Sequence, residues 1–301
     1  MMNKLPHHLK THIVEQHYKD YTPREHSTWR YIMRQSRHFL SKHAHPSYLS
    51  GLKATGLSIH CIPRIEEINH HLNKFGWNAV CVRGFIPPLT FLEFQSQKIL
   101  PIAADMRTLE NISYTPAPDI VHEAAGHAPF LADEDYRNYL TQYARLAKKA
   151  IFSLEDSELY NAIRQLSDMK ENPDYTKGDI QKAQQDLTAC KKKLTQLSES
   201  HYLSRLYWWS AEYGLIGSIN NPLIYGAGLL SSLEESQDAF TDKVALKEFD
   251  INCMHQAYDI THAQPQLFLT PNFKKLMPRG SHRRACSQPH LPRPRSTSSF
   301  Q

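Results

Sequence analysis

Residues 118–127 read PDIVHEAAGH, and this stretch decides how the rest of the chain is interpreted. Its two histidines, His122 and His127, flank Glu123 and stand five positions apart, whereas the zinc-protease motif HExxH spaces its histidines by four. At about 100° per residue, a spacing of five separates two side chains by about 140° around a regular α-helix. The imidazoles can still converge on a metal if His122 lies in the opening turn, for which Asp119 is the candidate cap.

An isolated acid in an aromatic stretch supplies the third candidate ligand of a metal site. SRLYWWSAEYGLIG, residues 204–217, contains Glu212 as its only acid, and buried carboxylates are rare unless they are paired or bind a metal. A salt-bridged core glutamate is the alternative interpretation. Two histidines and one carboxylate with open coordination positions are the ligand set of non-haem Fe(II) oxygenases. Iron fits this set because oxygenase chemistry needs a redox change, whereas zinc would serve only hydrolysis.

The charge of the chain is concentrated at its C-terminal end. The 301 residues contain 35 Lys and Arg against 30 Asp and Glu, which gives a net charge of +5. Residues 279–301 hold five arginines, no lysine and no acid, so residues 1–278 are neutral and carry no electrostatic footprint for nucleic acid. We predict that residues 279–301 are a disordered basic tail, derived either from an expression tag or from the natural protein. Residues 1–278 are predicted to form the catalytic domain.

Cysteine usage and hydropathy predict a cytoplasmic protein without a membrane segment. The five cysteines are odd in number and form no CxxC pair, which is typical of a reduced, intracellular chain. The N-terminal residues contain no apolar run of the kind that a secretory signal needs. Residues 213–233 carry no charge, but their Asn-Asn-Pro, glycines and serines do not suit a membrane-spanning helix. This stretch is predicted to be buried core around a site.

The periodicity of the chain predicts a mainly helical protein with little β-structure. Residues 77–85 are expected to form a strand, and residues 266–270 an extended segment. Residues 156–201, approximately, show apolar positions at three- and four-residue spacing on both sides of a turn, which predicts an antiparallel helical hairpin. The hairpin is expected to project outward. It is either a self-packed insertion or a surface for a partner, so the protein could be a monomer or a dimer.

Three further motifs, taken together, resemble one enzyme family. They are YTPAPDIVHEAAGHAPF at 114–130, YWWSAEYGL at 207–215 and YGAGLLSS at 225–232. In this order they are similar to the motifs of the pterin-dependent aromatic amino acid hydroxylases, the family of the phenylalanine, tyrosine and tryptophan hydroxylases. The resemblance implies a predominantly α-helical catalytic domain with minor β-structure, here carrying an inserted hairpin. It also implies Fe(II), a tetrahydropterin such as tetrahydrobiopterin, and dioxygen, which together hydroxylate the ring of an aromatic amino acid.

The resemblance also implies a role for each matching residue. The implied iron ligands are His122, His127 and Glu212, with Tyr207 close to the metal. The implied substrate contacts are Arg107 on the amino acid carboxylate, Thr115 and Ser231 on its backbone, and Trp208, Pro118 and Ile260 around its ring. The implied pterin contacts are Gly84, Phe91 and Glu123, with Phe91 stacking on the pterin.

The sequence departs from the family pattern at two places. His127 and Glu212 lie farther apart along the chain than in typical members, and the predicted hairpin accounts for the excess. The loop after Gly84 reads Phe-Ile-Pro-Pro instead of a segment of small residues with a serine, which alters the expected pterin-binding surface. Ile260 matches a position that is acidic in tyrosine-directed members, so phenylalanine or tryptophan is favoured. Trp208 then favours phenylalanine, with tryptophan next.

Two alternatives from other functional classes remain open at the level of the sequence. The chain could be a non-catalytic or divergent binding protein on a hydroxylase scaffold, with the hairpin as its binding surface. It could also be a zinc hydrolase with Glu123 as general base, although the five-residue histidine spacing disfavours this. For the hydroxylase the expected ligand is a small molecule, an aromatic amino acid, and neither nucleic acid nor a membrane is an expected partner.

Overall fold

A computed structural model describes residues 5–113, 117–172, 174–194, 196–260 and 262–276. Thr115 and the predicted tail at 279–301 lie outside these described residues. The chain is mainly helical with two small sheets, which confirms the predicted fold class. None of the helices in the described ranges combines the length and the hydropathy needed to span a bilayer.

The described residues form helices along most of the chain, with short strands between some of them. The α-helices are α1 His7–Lys10, α2 Pro23–His43, α3 Ser47–Ala54, α4 Ile65–Leu72, α5 Pro88–Ser96, α6 Glu134–Ala147, α7 Leu154–Glu171, α8 Lys177–Lys193, α9 Glu199–Tyr207, α10 Ala227–Ser231 and α11 Leu233–Asp238. Two π-helices cover Val121–His127 and Trp208–Glu212, and 3-10 turns cover Tyr18–Asp20, Asn73–Phe75, Ala128–Ala132, Ile251–His255 and Phe273–Lys275. The strands are β1 Asn78–Val82, β2 Ile99–Ala103, β3 Gly214–Ser218, β4 Asn221–Ile224, β5 Ala245–Glu248 and β6 Gln266–Thr270.

Local sequence signals fix the long helix α2. Thr22 and Glu25 form a capping box, in which the Thr22 side chain accepts from the Glu25 N–H and the Glu25 carboxylate accepts from the Thr22 N–H. Pro23 occupies the first turn, where its missing N–H costs nothing. Trp29 and Ile32, three residues apart on the inner face, are fully buried. The helix therefore starts at a capping signal that the sequence carries, and it packs against the core through one stripe.

The strands form two separate sheets. β1 and β2 pair in parallel, with Asn78 opposite Ile99 and Val82 opposite Ala103. The second sheet has the order β4-β3-β6-β5, and β3 pairs in parallel with β6 and antiparallel with β4. The predicted strand at 77–85 is shorter than expected, and the predicted extended segment at 266–270 is β6. Since β3 begins directly after the second π-helix, this sheet fixes where Glu212 can lie.

A cluster of aromatic side chains supports the two π-helices from below. Tyr136, Tyr225 and Phe273 contact one another with ring centroids 5.1 to 6.1 Å apart. Next to them, the hydroxyl of Tyr139 on α6 hydrogen-bonds the hydroxyl of Ser210 in the second π-helix. Tyr136, Tyr139 and Tyr225 are all buried, so the two π-helices pack against a dense part of the core.

The two π-helices meet on the short helix α10. A Cβ on Gly126, in the first π-helix, would lie 2.8 Å from the carbonyl oxygen of Ala227. A Cβ on Gly226 would lie 2.5 Å from the carbonyl oxygen of Glu212 in the second π-helix. These glycines are required because any side chain there would push the segments apart. The motif YGAGLLSS thus serves to bring the two halves of the site together.

α7 and α8 pack against each other as the predicted helical hairpin. Leu166, Ala183 and Leu187 are buried between them. Capping boxes at Ser153 and Thr176 start the two helices. The hairpin ends with α8, since residues 199–201 already belong to α9. The expectation that it projects outward is wrong, because one face of α7 lines the central cavity.

We predict that Gly126→Ala destabilises the fold, because the new methyl group must displace the backbone of α10. Overpacking of this kind costs about 1–3 kcal/mol, and each kcal/mol corresponds to a fall of about 2–4 °C in Tm for a chain of this size. Thermal unfolding of the purified protein measures the change. Gly178→Ala in α8 is the matched control, since its Cβ would meet only the Thr176 hydroxyl at 3.6 Å. Equal Tm values for the two variants would contradict the packing argument.

Candidate metal centre and substrate cavity

The first π-helix resolves the spacing problem of the two histidines. Its i→i+5 hydrogen bonds widen the turn, so residues five apart return to the same face. His122 and His127 consequently lie side by side, with ring centroids 5.0 Å apart. The side chain of Asp119 accepts a hydrogen bond from the His122 N–H at 2.9 Å and so caps the segment, as the sequence suggested. From the sequence, we expect His122 to lie in the opening turn of a regular α-helix. The structure instead has a π-helix over Val121–His127.

Glu212 faces both imidazoles from the second π-helix. Its Oε2 lies 3.2 Å from His122 Nε2, and its Oε1 lies 3.1 Å from His127 Nε2. Metal–ligand bonds of about 2.1 Å at right angles place neighbouring donor atoms about 3 Å apart. The three side chains therefore have the separation expected of donors that could share one metal ion, and two of them, His122 and Glu212, line the cavity.

Hydrogen bonding around the histidines fits metal ligation. The Ser231 hydroxyl donates to the Ala227 carbonyl and lies 3.1 Å from His122 Nδ1, so His122 can donate from Nδ1 and keep the Nε2 lone pair for a metal. His127 is fully buried, and neither of its ring nitrogens makes a hydrogen bond of good geometry with the described residues, although its Nε2 lies 3.1 Å from Glu212 Oε1. A buried imidazole that makes no hydrogen bond is costly. A metal ion bound at Nε2 would satisfy the His127 nitrogen that faces Glu212.

Glu123 lies next to this cluster, but Glu212 is the better third ligand. One Glu123 oxygen lies 4.0 Å from His127 Nε2, and Glu123, His122 and His127 together could also hold an ion. Burial raises the pKa of Glu123 to about 7, which disfavours its anionic form. Both Glu212 oxygens lie 3.1–3.2 Å from an imidazole nitrogen, so Glu212 is closer to the two histidines than Glu123.

Arg107 lies at the wall of the cavity in a buried ion pair. Its Nε and Nη2 donate to the two carboxylate oxygens of Asp119 at 2.8 and 2.9 Å, and its Nη1 donates to the Ser231 carbonyl at 2.9 Å. The forked pairing that the sequence suggested for a substrate carboxylate is therefore made with Asp119. A guanidinium has five N–H groups. Three of them make these bonds to described residues, and Arg107 lines the cavity with its orientation fixed by Asp119.

Trp208 stands in a stack of aromatic rings at the substrate side. Tyr213 and Tyr258 both stack on it, with centroids 4.7 and 4.3 Å away. Pro118 and Ile260 also line the cavity. Tyr213, which the sequence placed in the core by default, is buried but reaches the cavity, whereas Tyr258 was not identified from the sequence because no motif marks it. The stack leaves an apolar wall suited to an aromatic ring.

The buried side chain of Glu235 is hydrogen-bonded to this aromatic stack. Glu235 accepts hydrogen bonds from the Tyr213 hydroxyl at 2.9 Å and from the Gln264 N–H at 3.2 Å. The Trp208 ring N–H in turn donates to the Gln264 side chain at 3.3 Å. Burial raises the pKa of Glu235 to about 7. The sequence offered no signal for Glu235, because the acidic run around it is typical of a solvated helix end.

The predicted pterin residues lie on the opposite side of the cavity. The Phe91 ring lies 6.2 Å from the rings of both His127 and Tyr207. Tyr207 accepts a hydrogen bond from Gln95 at 2.9 Å, and burial raises its pKa well above the usual value, so it stays protonated. Gly84 adopts a left-handed conformation with a φ of 60°, which favours glycine. A flat ring can reach Phe91 from the cavity.

One cavity of about 330 Å³ brings these residues together. Each site residue predicted from the sequence that the structure describes lines this cavity, except His127, which lies behind the wall, while Thr115 is outside the described residues. The sequence missed the contribution of the hairpin and of the start of α9. Asp156, Tyr160 and Ile163 line the cavity from α7, and His201 lines it from α9. The signal that could have revealed this face of α7 is the i, i+4, i+7 spacing of Asp156, Tyr160 and Ile163.

Comparison with known proteins agrees with this geometry. A family model described as biopterin-dependent aromatic amino acid hydroxylase matches residues 10–149 and 139–282. The chain is similar to the phenylalanine-4-hydroxylase of Pseudomonas aeruginosa, with 28% identity over 258 residues that cover 85% of this chain and 81% of that protein. It is also similar to the phenylalanine-4-hydroxylase of Mesorhizobium japonicum, with 29% identity over 261 residues that cover 85% of this chain and 78% of that protein.

The fold is also similar to solved structures. A phenylalanine hydroxylase structure from Chromobacterium violaceum, with bound iron(III) and the oxidised cofactor 7,8-dihydrobiopterin, superposes with a TM-score of 0.68 at 24% identity, over 88% of this chain and 82% of that chain. The phenylalanine hydroxylase of Legionella pneumophila gives a TM-score of 0.65 at 25% identity, over 85% of this chain and 89% of that chain.

We predict that Glu235→Gln changes the pH dependence of stability. The folded pKa of Glu235, about 7, exceeds its ordinary value of 4.5, so stability falls as pH rises from 4.5 to about 7 while the unfolded chain ionises first. Glutamine does not ionise: its carbonyl oxygen can accept from the Gln264 N–H, and its NH2 group can donate to the Tyr213 hydroxyl oxygen. At pH 8 the variant should be more stable than the wild type by on the order of 2 kcal/mol, with a smaller difference at pH 5.

Urea unfolding at both pH values measures this effect. Glu234→Gln is the matched control, because Glu234 is exposed and adjacent in the same helix. If Glu235→Gln and Glu234→Gln differ from the wild type equally at both pH values, Glu235 is not held neutral by burial.

Proposed function

Because the chain belongs to the biopterin-dependent aromatic amino acid hydroxylases, we propose that it hydroxylates the ring of phenylalanine with Fe(II), a tetrahydropterin and dioxygen. The observation that carries the proposal is the convergence of His122, His127 and Glu212 beside Arg107 and an aromatic wall in one cavity. A metal, an amino acid carboxylate and an aromatic ring can thus be held at the same time.

The donor set supports iron as the metal. Two imidazoles and one carboxylate on one side of an ion leave further positions for oxygen and substrate, as in non-haem iron oxygenases. The similar Chromobacterium violaceum hydroxylase structure holds iron(III) and 7,8-dihydrobiopterin. When bound here, Fe(II) and the tetrahydropterin would supply the electrons that activate dioxygen.

The residues of the chain bind and orient the reactants. Arg107 offers N–H groups to the amino acid carboxylate, and Asp119 keeps the guanidinium in place. Trp208 and Pro118 direct the ring towards the metal position. On the other side Phe91 can stack on the pterin and Glu123 can bind its polar edge. The apolar cavity wall excludes bulk water from the reacting atoms.

Phenylalanine is the proposed substrate for two reasons. Ile260 lines the cavity and offers no polar group to a phenolic hydroxyl. The similar proteins from Pseudomonas aeruginosa and Mesorhizobium japonicum are phenylalanine-4-hydroxylases. Nothing among these relatives supports tryptophan. The oligomeric state and the cytoplasmic location stay predictions from the sequence.

Anaerobic reconstitution with Fe(II), followed by addition of dioxygen and a tetrahydropterin, tests the function directly. We expect phenylalanine to be converted to tyrosine only when both iron and pterin are present, with little product from tyrosine or tryptophan. Liquid chromatography of the products measures each reaction. A folded, iron-loaded protein that gives no hydroxylated amino acid would support the binding-protein alternative, and hydrolytic activity that depends on zinc would support the hydrolase.

We predict that Glu212→Ala loses both iron and activity. Removing one of three ligands should lower iron affinity at least about tenfold and hydroxylation at least about a hundredfold. Glu123→Ala is the matched control, since it removes the neighbouring buried carboxylate and should retain iron. Elemental analysis after gel filtration gives the iron content. Loss of iron in Glu123→Ala, with iron retained in Glu212→Ala, would reverse the ligand assignment.

We predict that Arg107→Lys weakens amino acid binding while iron is retained. A lysine ammonium cannot pair with Asp119 in a fork and also present directed N–H groups to a carboxylate. The KM for phenylalanine should rise at least about tenfold with unchanged iron content, and Arg34→Lys on the exposed side of α2 should behave as wild type. An unchanged KM in Arg107→Lys would remove Arg107 from the substrate site.

A further inference from the structure

One face of α7 forms a wall of the active-site cavity. Asp156, Leu159, Tyr160 and Ile163 line it, and their i, i+3, i+4, i+7 spacing places them on a single helical stripe. Leu159 and Ile163 also pack against the small core between α7 and α8. The inserted hairpin is therefore held together by its own core while it presents a second, adjacent face to the site. An insertion that only faced solvent would have no use for this second stripe.

The α7 wall stands at the side of the cavity proposed for the pterin. The Tyr160 hydroxyl donates to the Phe85 carbonyl at 2.7 Å, and the two rings are 5.8 Å apart. Phe85 belongs to the loop that leads into α5 and thus to Phe91. Near the end of α8, an ion pair between Lys191 and Asp259 at 3.2 Å also ties the hairpin to the domain, but it is exposed and weak. Tyr160 is thus the main contact between the hairpin and the cofactor loop.

Polar groups beside this wall have no role in the proposed hydroxylation. The Asp156 carboxylate is nearly buried and is held in place by the Ser153 N–H at 2.9 Å. His201 Nδ1 lies 3.8 Å from Asp156 Oδ1, and burial lowers the pKa of His201, which keeps its ring neutral near pH 7. Ser204, one turn along α9, also lines the cavity. A neutral imidazole and a hydroxyl can each donate to and accept from alcohol groups, and a carboxylate can accept from them.

The cavity beside α7 has a small volume. The cavity of about 330 Å³ lies near the lower end of the range of about 300–1000 Å³ for small-molecule sites, although an amino acid and a pterin must both be held. Leu159 and Tyr160 close the cofactor side, and Tyr160 is fixed by its bond to Phe85. A long substituent on a bound pterin would therefore collide with α7.

We infer that the inserted hairpin, together with His201 at the start of α9, selects the cofactor: His201 and Asp156 bind a short hydroxylated side chain on the pterin, and Leu159 and Tyr160 exclude a bulky aromatic one. This inference rests on the proposed function, because it places a pterin against Phe91. It assigns the hairpin to the active site instead of to a protein partner. The hairpin acts on which pterin binds, and the hydroxylation chemistry stays with the metal centre.

Calorimetric titration of the full-length protein under anaerobic conditions tests the inference without turnover. The probes are three dihydropterins whose 6-substituents are a methyl group, a dihydroxypropyl group (7,8-dihydrobiopterin) and the aminobenzoyl-glutamate of 7,8-dihydrofolate. For the wild type we expect dihydrobiopterin to bind about fivefold more tightly than the methyl compound, which corresponds to about one hydrogen bond. Dihydrofolate should bind at least about tenfold more weakly than the methyl compound.

Variants separate the polar from the steric part of the inference. His201→Leu should abolish the preference for dihydrobiopterin and leave the Kd of the methyl compound unchanged, which a merely structural effect would not do. Tyr160→Ala should bring the Kd of dihydrofolate to within about threefold of that of the methyl compound. Leu159→Ala provides a second steric test if Tyr160→Ala unfolds. Asn161→Ala, on the exposed side of α7, is the control and should match the wild type for all three probes.

The outcomes distinguish this inference from the proposed function. Equal affinities of the wild type for the three probes, or variants that leave the ratios unchanged, would overturn the role of the hairpin and leave the hydroxylase assignment intact. Failure of the wild type to bind any dihydropterin would overturn both, and the iron- and pterin-dependent hydroxylation assay would then fail as well.

Discussion

The carboxylate of Asp119 joins the parts of this site that have to act together. One oxygen accepts from the backbone N–H and Nε of Arg107, and the other accepts from Arg107 Nη2 and from the His122 N–H. The pair is buried, and removing one partner of such a pair typically costs about 3–5 kcal/mol. Because Arg107 also donates to the Ser231 carbonyl, Arg107, the first π-helix and α10 cannot move independently.

Two π-helical turns bring His122, His127 and Glu212 together. The spacing of His122 and His127 cannot place two imidazoles on one face of an α-helix, and the chain adopts a wider turn there and again before Glu212. Such turns are rare because their packing is poor, so they persist only where tertiary contacts hold them. Here the close approach of Gly126 to α10 and the hydrogen bond to Ser210 supply those contacts.

The hairpin shows where prediction from sequence stops. Its apolar period predicted two helices packed on each other, and Leu166 and Leu187 are indeed buried between them. The same period could not show that a neighbouring stripe faces the active site, because that depends on a contact between Tyr160 and Phe85, which are far apart in sequence. Hydrophobic spacing identifies the faces of a helix, but only the packed structure shows what covers each face.

The sequence by itself indicated the helical class and the hairpin, because short-range periodicity and capping act within a few residues. Three motifs and the family that they resemble also indicated a set of candidate site residues. Only the tertiary structure decided the π-helical turns at the metal centre, the support of Trp208 by Glu235 and Gln264, and the docking of α7 over the cofactor side. Each depends on burial and on contacts between distant segments, whose energies exist only once the core has packed.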